Sequence, residues 1–153
     1  MISIAEKLKD QKATVDRLMQ NPADMAAVFA DYYPAETTRR LAKLFTEHLQ
    51  IGGELITALR DGKTAMAASL NREWYQNADR IADFFASINP EYNRQEVKNM
   101  MYNHLDLTKQ EVSARLKGDY AGDIEAFGRA EKEALMMADY FSSGLLRQIP
   151  RRF

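Results

Sequence analysis

The stretch that decides the fold of this chain is residues 64–88, which read TAMAASLNREWYQNADRIADFFASI. Its large apolar residues recur in steps of four and three, which is the spacing of one face of an α-helix. They are Leu70, Trp74, Ile81, Phe84 and Ile88, and the polar Asn77 lies in the same row. The segment therefore predicts a long amphipathic helix that buries one face against other helices.

The same helical period continues on both sides of this segment, between prolines and glycines that mark helix ends. Three more long helices are predicted over residues 36–60, 93–117 and 119–146, and two short ones over residues 3–19 and 22–32. Gly62 and Gly118 follow two of the long segments, at positions where glycine commonly ends a helix. Long amphipathic helices joined by tight turns predict an all-α fold, an antiparallel up-down-up-down four-helix bundle with two short N-terminal helices, as a single domain over residues 1–153.

Composition excludes several classes of function. The chain has 21 basic and 22 acidic residues and a net charge of −1, so neither a nucleic-acid nor a membrane partner is expected. It has no cysteine, which rules out disulfides, thiolate nucleophiles and cysteine-based metal sites. Neither a nucleophile elbow nor a glycine-rich phosphate loop is present, and catalytic residues are not indicated. The chain begins without a secretory signal and lacks a membrane-length apolar run, so a cytoplasmic location is expected.

Four positions on the predicted buried faces are polar: His48, Asn77, His104 and Glu131. His48 and Asn77 lie at nearly equal distances along the chain before and after Gly62. His104 and Glu131 flank Gly118 in the same way, and Glu131 lies within the row Tyr120, Ile124, Phe127, Glu131, Ala134, Ala138, Phe141 and Leu145. Because residues equidistant from a turn face each other in an antiparallel bundle, these positions predict one polar layer with a side chain from each helix.

This layer favours a site for one divalent metal ion, either zinc, iron or manganese. Two imidazoles and a carboxylate are normal ligands for these ions, and bundle cores are a recurrent place for them. His48, His104 and Glu131 would be the ligands, with Asn77 as a fourth ligand or as a hydrogen-bond partner of an imidazole. The functional hypothesis is a small metalloenzyme or metal sensor. Haem is not expected, because nothing else in the chain indicates the wide apolar slot that it needs.

The same four residues also allow an interpretation without metal. A hydrogen-bond network of His48, Asn77, His104 and Glu131 would satisfy its own polar groups and fix helix register in a structural or interaction protein. The two hypotheses predict different results for His48→Ala, which loses bound metal in the first and only stability in the second.

Two adjacent glycines, Gly52 and Gly53, lie inside a predicted helix. Glycine in a helix interior costs about 1 kcal/mol relative to alanine, so some contact should offset that cost. Counting from Gly62 places Trp74 opposite Gly52, so the ring is expected to fill the space that the glycine leaves. A small cavity beside His48 is the alternative.

Several motifs resemble those of an uncharacterised bacterial and archaeal all-helical family. They are Trp74-Tyr75-Gln76-Asn77-Ala78-Asp79, Asn89-Pro90, His104-Leu105, Met136-Met137-Ala138-Asp139 and the closing residues from Gly144 to Phe153. The resemblance covers nearly the whole chain. Some members carry an acetylglutamate kinase label, which the sequence argues against, because such kinases are α/β folds with glycine-rich phosphate loops.

The resemblance implies two further points. Members of the family begin with an additional helix that carries its own histidine, and residues 1–4 look like the tail of that helix. Its absence implies an apolar groove that a second chain covers, which would make a homodimer. The family also varies at the position of Glu131, and Glu133 competes with it as the carboxylate of the polar layer.

Overall fold

The structure is a computed structural model that describes residues 2–148. Every regular element of these residues is a helix, which confirms the predicted all-α class. The helices are α1 (Ile2–Ala5), α2 (Gln11–Leu18), α3 (Asn21–Ala27), α4 (Ala35–Arg60), α5 (Thr64–Ile88), α6 (Arg94–Leu116) and α7 (Tyr120–Gln148). None of these helices is both long enough and apolar enough to cross a membrane.

The chain divides into two compact units, Met1–Asn77 and Ala78–Phe153. The first unit contains α1 to α4 and the first part of α5, and the second contains the rest of α5 with α6 and α7. The predicted single domain over residues 1–153 is not tested by this division and stays a prediction.

The four long helices begin and end within a few residues of their predicted limits. Gly62 and Gly118 have φ angles of +68° and +75°, in the left-handed region that glycine occupies without steric cost. Asn93 precedes α6, and its side-chain oxygen accepts hydrogen bonds from the backbone N–H groups of Gln95 and Glu96. These local contacts explain why the helix ends could be located from the sequence.

The N-terminal prediction of one helix over residues 3–19 is wrong. The structure ends α1 at Ala5 and begins α2 at Gln11, so three short helices precede α4. Lys7 has a φ angle of 51°, a left-handed conformation that a right-handed helix cannot contain. The Ser3 hydroxyl donates to the Asp10 carboxylate at 2.8 Å across this break. Apolar spacing alone did not reveal the interruption.

The core of the first unit lies along α4. Leu41, Leu55 and Ile56 of this helix are almost completely buried, and Ile4 of α1 is buried as well. A Cβ atom added to Gly52 would lie 3.0 Å from Cζ2 of Trp74, which is closer than ordinary packing allows. The prediction that Trp74 fills the space over Gly52 is therefore confirmed.

The core of the second unit combines an aromatic cluster with the contact between α6 and α7. The ring centroids of Phe85 and Phe141 lie 4.2 Å apart, and the Tyr92 hydroxyl donates to the backbone oxygen of Phe141 at 2.7 Å. A Cβ atom at Gly144 would overlap the Tyr92 ring, so this position of α7 requires glycine. Asn89 donates to the backbone oxygen of Gly144 at 3.1 Å.

The helix α7 buries a different face from the predicted one. The predicted row is exposed from Tyr120 to Ala138 and reaches the buried face only at its end, where Leu145 is buried. The buried residues of α7 are Asp123, Ala126, Glu133, Gly144 and Leu145. The prediction failed because the exposed row of α7 is the more apolar one, whereas the buried face contains Asp123 and Glu133, and periodicity assigns burial to the more apolar row.

Candidate functional site: two histidine pairs

The first histidine pair lies in the first unit. His48 of α4 is buried, and its Nδ1 atom lies 2.7 Å from Oδ1 of Asn77 on α5. The Asn77 side chain is completely buried and also donates to the backbone oxygen of Leu44 at 3.2 Å. Because an amide oxygen can only accept, the His48 Nδ1 atom is the donor. The structure thus brings together the two residues that the count around Gly62 placed opposite each other.

Trp74 completes the surroundings of His48. Its indole N–H donates to the backbone oxygen of His48 at 2.9 Å, and the two ring centroids lie 5.3 Å apart. Gly52 makes room for the indole one turn further along α4. A buried imidazole that donates to an amide, on a backbone that accepts from an indole of the next helix, is typical of a contact that fixes two helices in register.

The second pair lies in the second unit and corrects one predicted residue. The His104 Nδ1 atom lies 3.1 Å from Oε2 of Glu133, whose side chain is 3% exposed. Glu131 is exposed, so its predicted place in the buried layer is wrong, and the competing residue Glu133 occupies that place. Two residues along a helix turn the side chain by about 200°, which separates these carboxylates onto different faces.

The sequence contained a signal that would have found Glu133. In both pairs the histidine and its partner have the same separation along the chain, and each pair encloses a turn glycine at the same point. One constant spacing therefore relates His48 to His104, Gly62 to Gly118, and Asn77 to Glu133. The spacing also relates Ala82-Asp83-Phe84-Phe85 to Ala138-Asp139-Tyr140-Phe141. Applying the first pair's count to the second turn selects Glu133 instead of Glu131.

The two pairs differ in exposure and in chemistry. The side chain of His104 is 32% exposed, whereas His48 is buried. With Nδ1 donating to the Glu133 carboxylate, the lone pair of the His104 ring lies at Nε2, the nitrogen that could accept a proton or bind a metal ion. The partner of His48 is the neutral amide of Asn77, whereas the partner of His104 is the carboxylate of Glu133.

We call α4 and α5, which follow each other through Gly62, the first hairpin, and α6 and α7, which follow each other through Gly118, the second hairpin. Charged side chains are also buried between α6 and α7, at positions whose equivalents in the first hairpin are apolar. Glu111 and Asp123 are both buried, and Arg115 forms an ion pair with Asp123. By the constant spacing between the hairpins, Glu111 corresponds to Leu55, Asp123 to Ala67 and Arg115 to Leu59. None of these three residues was predicted as part of the polar layer, although the repeat would have singled out Asp123 as a charge at an apolar position.

Burial raises the pKa of the Glu111 carboxyl, and the negative charge of Asp123 adds to the rise, while Arg115 and His104 oppose it. Within the described part of the chain, two atoms here are buried and make no hydrogen bond: Oε1 of Glu133 and Nε of Arg115. A buried polar atom without a partner costs about 1–3 kcal/mol. This hairpin therefore carries polar groups that reduce its stability.

The predicted metal ligands do not form a metal site within either unit. Among residues 2–148, no group of three or more His, Asp or Glu side chains is arranged to hold a metal ion. His48 and Asn77 belong to the first unit, and His104 belongs to the second. Each histidine has a hydrogen-bond partner in its own unit, so each pair can fix helix register without metal. A site that combines His48, Asn77 and His104 with a carboxylate of α7 stays a prediction from the sequence.

The family resemblance rests on short motifs, two of which contain a residue of the histidine pairs. Trp74 and Asn77 belong to one motif, and His104 opens another. Helix contacts at the two histidines therefore account for these two motifs. Comparison of the chain with protein-family models, curated proteins and solved structures finds no match in any of the three.

Proposed function

We propose that this chain is a non-catalytic interaction module that forms a homodimer through α7, with the two histidine pairs fixing helix register. One observation carries the proposal, an exposed apolar surface on α7 that we call the outer face. It consists of Tyr120, Ile124, Phe127, Glu131, Ala134, Leu135 and Ala138. Ile124 is 70% exposed, Leu135 63%, and both aromatic rings 56%.

The size of the outer face supports a protein partner. Each of its four large side chains exposes on the order of 100 Å² at these exposures, so the face approaches about 500 Å² with its alanines. That area is at the upper end of what monomers expose, and a stable dimer buries about 800 Å² on each partner. We infer that the partner is a second copy of this chain, because a two-fold axis pairs the outer face of one copy with the outer face of the other. Such a dimer requires no other binding surface.

Glu131 is the charged residue within the outer face, and it gives the proposal a specific test. A dimer interface would take its carboxylate out of water, which costs free energy. Glu131→Leu is therefore expected to tighten the dimer, whereas Phe127→Asp is expected to produce monomers. Val28→Asp is the matched control, because Val28 is 61% exposed in the first unit and lies far from α7 in sequence.

Sedimentation velocity over a range of protein concentrations measures the association. A wild-type dimer that Phe127→Asp dissociates and Val28→Asp leaves intact would support the proposal. A monomeric wild type, or dimers that survive Phe127→Asp, would contradict it.

We further propose that the long helices α4 to α7 form an antiparallel up-down-up-down four-helix bundle in each chain. The support is the shared count of residues around Gly62 and Gly118, which gives both hairpins the same register. In this arrangement the face of α7 that contains Asp123, Ala126 and Glu133 belongs to the bundle core, and the outer face does not.

A second candidate function, binding of one divalent metal ion, is favoured by the His104–Glu133 contact. A buried carboxylate that accepts from Nδ1 of a partly exposed imidazole is common behind histidine ligands of zinc, iron and manganese. Metal analysis by mass spectrometry on protein purified without a histidine tag tests this candidate. About one equivalent of metal, lost in His104→Ala and Glu133→Ala, would support it. Protein without metal after incubation with each ion would eliminate it.

A further inference from the structure

A cavity of about 370 Å³ lies in the first unit between α2 and α4. Its wall includes residues of α1 and α2, the middle of α4 and the start of α5. The apolar part of the wall includes Ile4, Val15, Leu18, Met19, Leu49 and Met66. All the residues of the wall belong to the first unit.

Gly53 forms part of the wall and has no close neighbour that requires glycine. The nearest described atom to a Cβ added at Gly53 is Cδ1 of Ile4, at 3.9 Å, which is an ordinary contact. Gly52 differs, because Trp74 occupies the space next to it. Glycine inside a helix costs about 1 kcal/mol relative to alanine, and packing explains that cost only at Gly52. The missing side chain of Gly53 instead keeps the cavity open.

The helix α2 covers the cavity without filling it. None of the residues of α2, all of which the structure describes, is buried, although Val15 and Leu18 line the cavity. By contrast, Ile4 of the preceding α1 is buried, and Arg60 donates to its backbone oxygen at 2.9 Å. Between these two helices Lys7 adopts its left-handed conformation. The helix α1 is thus fixed to α4, whereas α2 buries none of its side chains and leaves space beneath it. This arrangement is expected of a helix that covers a bound ligand.

We propose that this cavity binds a small uncharged apolar molecule, which α2 encloses. The wall is mainly apolar, and its charged residues Glu54 and Lys63 are exposed and opposite in sign, so neither sign of ligand charge is favoured. Ligand pockets commonly have volumes of about 300–1,000 Å³, and a cavity of about 150 Å³ accepts benzene. A molecule of two or three aromatic rings fits this range. The proposal does not depend on the homodimer.

Fluorescence titration with N-phenyl-1-naphthylamine, an uncharged apolar probe, tests the site in the full chain. Saturable binding of one probe per chain is expected for the wild type. Gly53→Leu should weaken this binding at least about tenfold, or 1.4 kcal/mol, because the new side chain occupies part of the cavity. Gly128→Leu is the matched control, since Gly128 lies inside α7 and no described atom lies within 4 Å of a Cβ there.

A milder variant keeps the test informative if Gly53→Leu does not fold, as judged by circular dichroism. Gly53→Ala adds one methyl group to the cavity and should weaken probe binding about threefold while the helix content stays unchanged. Equal affinity in wild type and both Gly53 variants would overturn the proposal, as would the absence of saturable binding. If Phe127→Asp lost probe binding while Gly53→Leu bound the probe as tightly as the wild type, the probe would be assigned to the outer face of α7. That result would also overturn the proposal.

Discussion

The Nδ1 atom of His104 lies 3.1 Å from Oε2 of Glu133, and this contact joins two neighbouring long helices of the chain. His48 and Asn77 make the equivalent contact at 2.7 Å with the same separation in sequence. A chain with two histidines therefore uses both in the same way, as donors to a partner on the next long helix. The partners differ in charge, and the mutational consequences should differ with them.

Glu133→Ala is expected to lower the free energy of unfolding by about 2 kcal/mol, because it removes a buried hydrogen-bond partner and leaves a space in the core. Glu133→Gln should retain most of the stability, since an amide oxygen serves His48 in the same position. Glu131→Ala is the control and should leave the stability unchanged, as expected for an exposed side chain. Urea unfolding at low protein concentration measures all three, and equal losses at residues 131 and 133 would contradict the assignment.

Alanine substitutions at the two adjacent glycines should have opposite effects. Gly52→Ala places a methyl group 3.0 Å from Cζ2 of Trp74. The hydrogen bond from the indole N–H to the backbone oxygen of His48 prevents the ring from moving away. We expect a net loss of about 1 kcal/mol, which combines overpacking with the gain in helix propensity. Gly53→Ala meets no such contact and should gain about 0.5–1 kcal/mol. Chemical unfolding of both variants would reveal the difference, and a loss at Gly53 would refute it.

The raised pKa of Glu111 predicts a specific pH dependence of stability. The folded protein binds the proton of this carboxyl more tightly than the unfolded chain does, so its contribution to the free energy of unfolding is largest below about pH 4. That contribution falls as the pH rises through the folded-state pKa. Glu111→Gln should therefore be more stable than the wild type at pH 8, by about 1 kcal/mol, and the difference should shrink toward pH 4.

The control for this prediction is Glu125→Gln, which changes an exposed glutamate of α7. It should leave the free energy of unfolding at pH 8 unchanged, as expected for an exposed side chain. A difference between Glu111→Gln and wild type that is independent of pH would mean that the Glu111 carboxyl does not titrate differently in the folded state.

Removing one partner of the Arg115–Asp123 ion pair should lower the free energy of unfolding strongly, whereas replacing both residues with apolar ones should change it little. The Asp123 side chain is 3% exposed, so Asp123→Ala leaves the guanidinium without its partner and should cost about 3 kcal/mol. Replacing both residues, as Arg115→Met with Asp123→Leu, should restore stability to within about 1 kcal/mol of the wild type. Thermal and urea unfolding of the single and double variants test this, and a double variant as unstable as Asp123→Ala would disprove it.

Long helices were predictable because their signals are local. The glycines and caps that end α4 and α6 lie within a turn of the helix ends, and the apolar period of α5 extends over most of its length. The break at Lys7 was not predictable, because a lysine in a left-handed conformation has no sequence signal of its own. The buried face of α7 was missed for a different reason, since it contains Asp123 and Glu133 while the more apolar row of the helix is exposed.

At the candidate site, counting from a turn placed His48 and Asn77 opposite each other and selected Glu131 where the structure has Glu133. The error came from the apolar row of α7, on which Glu131 lies and Glu133 does not. Aligning the two hairpins on their histidines and turn glycines would have corrected it. The buried ion pair of Arg115 and Asp123 was beyond prediction from α7 alone, because Asp123 also suits an exposed first helical turn.

The equal separation of the two histidine pairs restricts how this protein can change in length. One residue inserted beside Gly62 or Gly118 would rotate the following helix by about 100° and turn Asn77 or Glu133 away from its histidine. Most surface turns tolerate insertions and deletions, but these two cannot without losing a buried contact. Insertions and deletions in related chains should therefore occur before α4 or between α5 and α6. The two glycine turns should keep a constant number of residues.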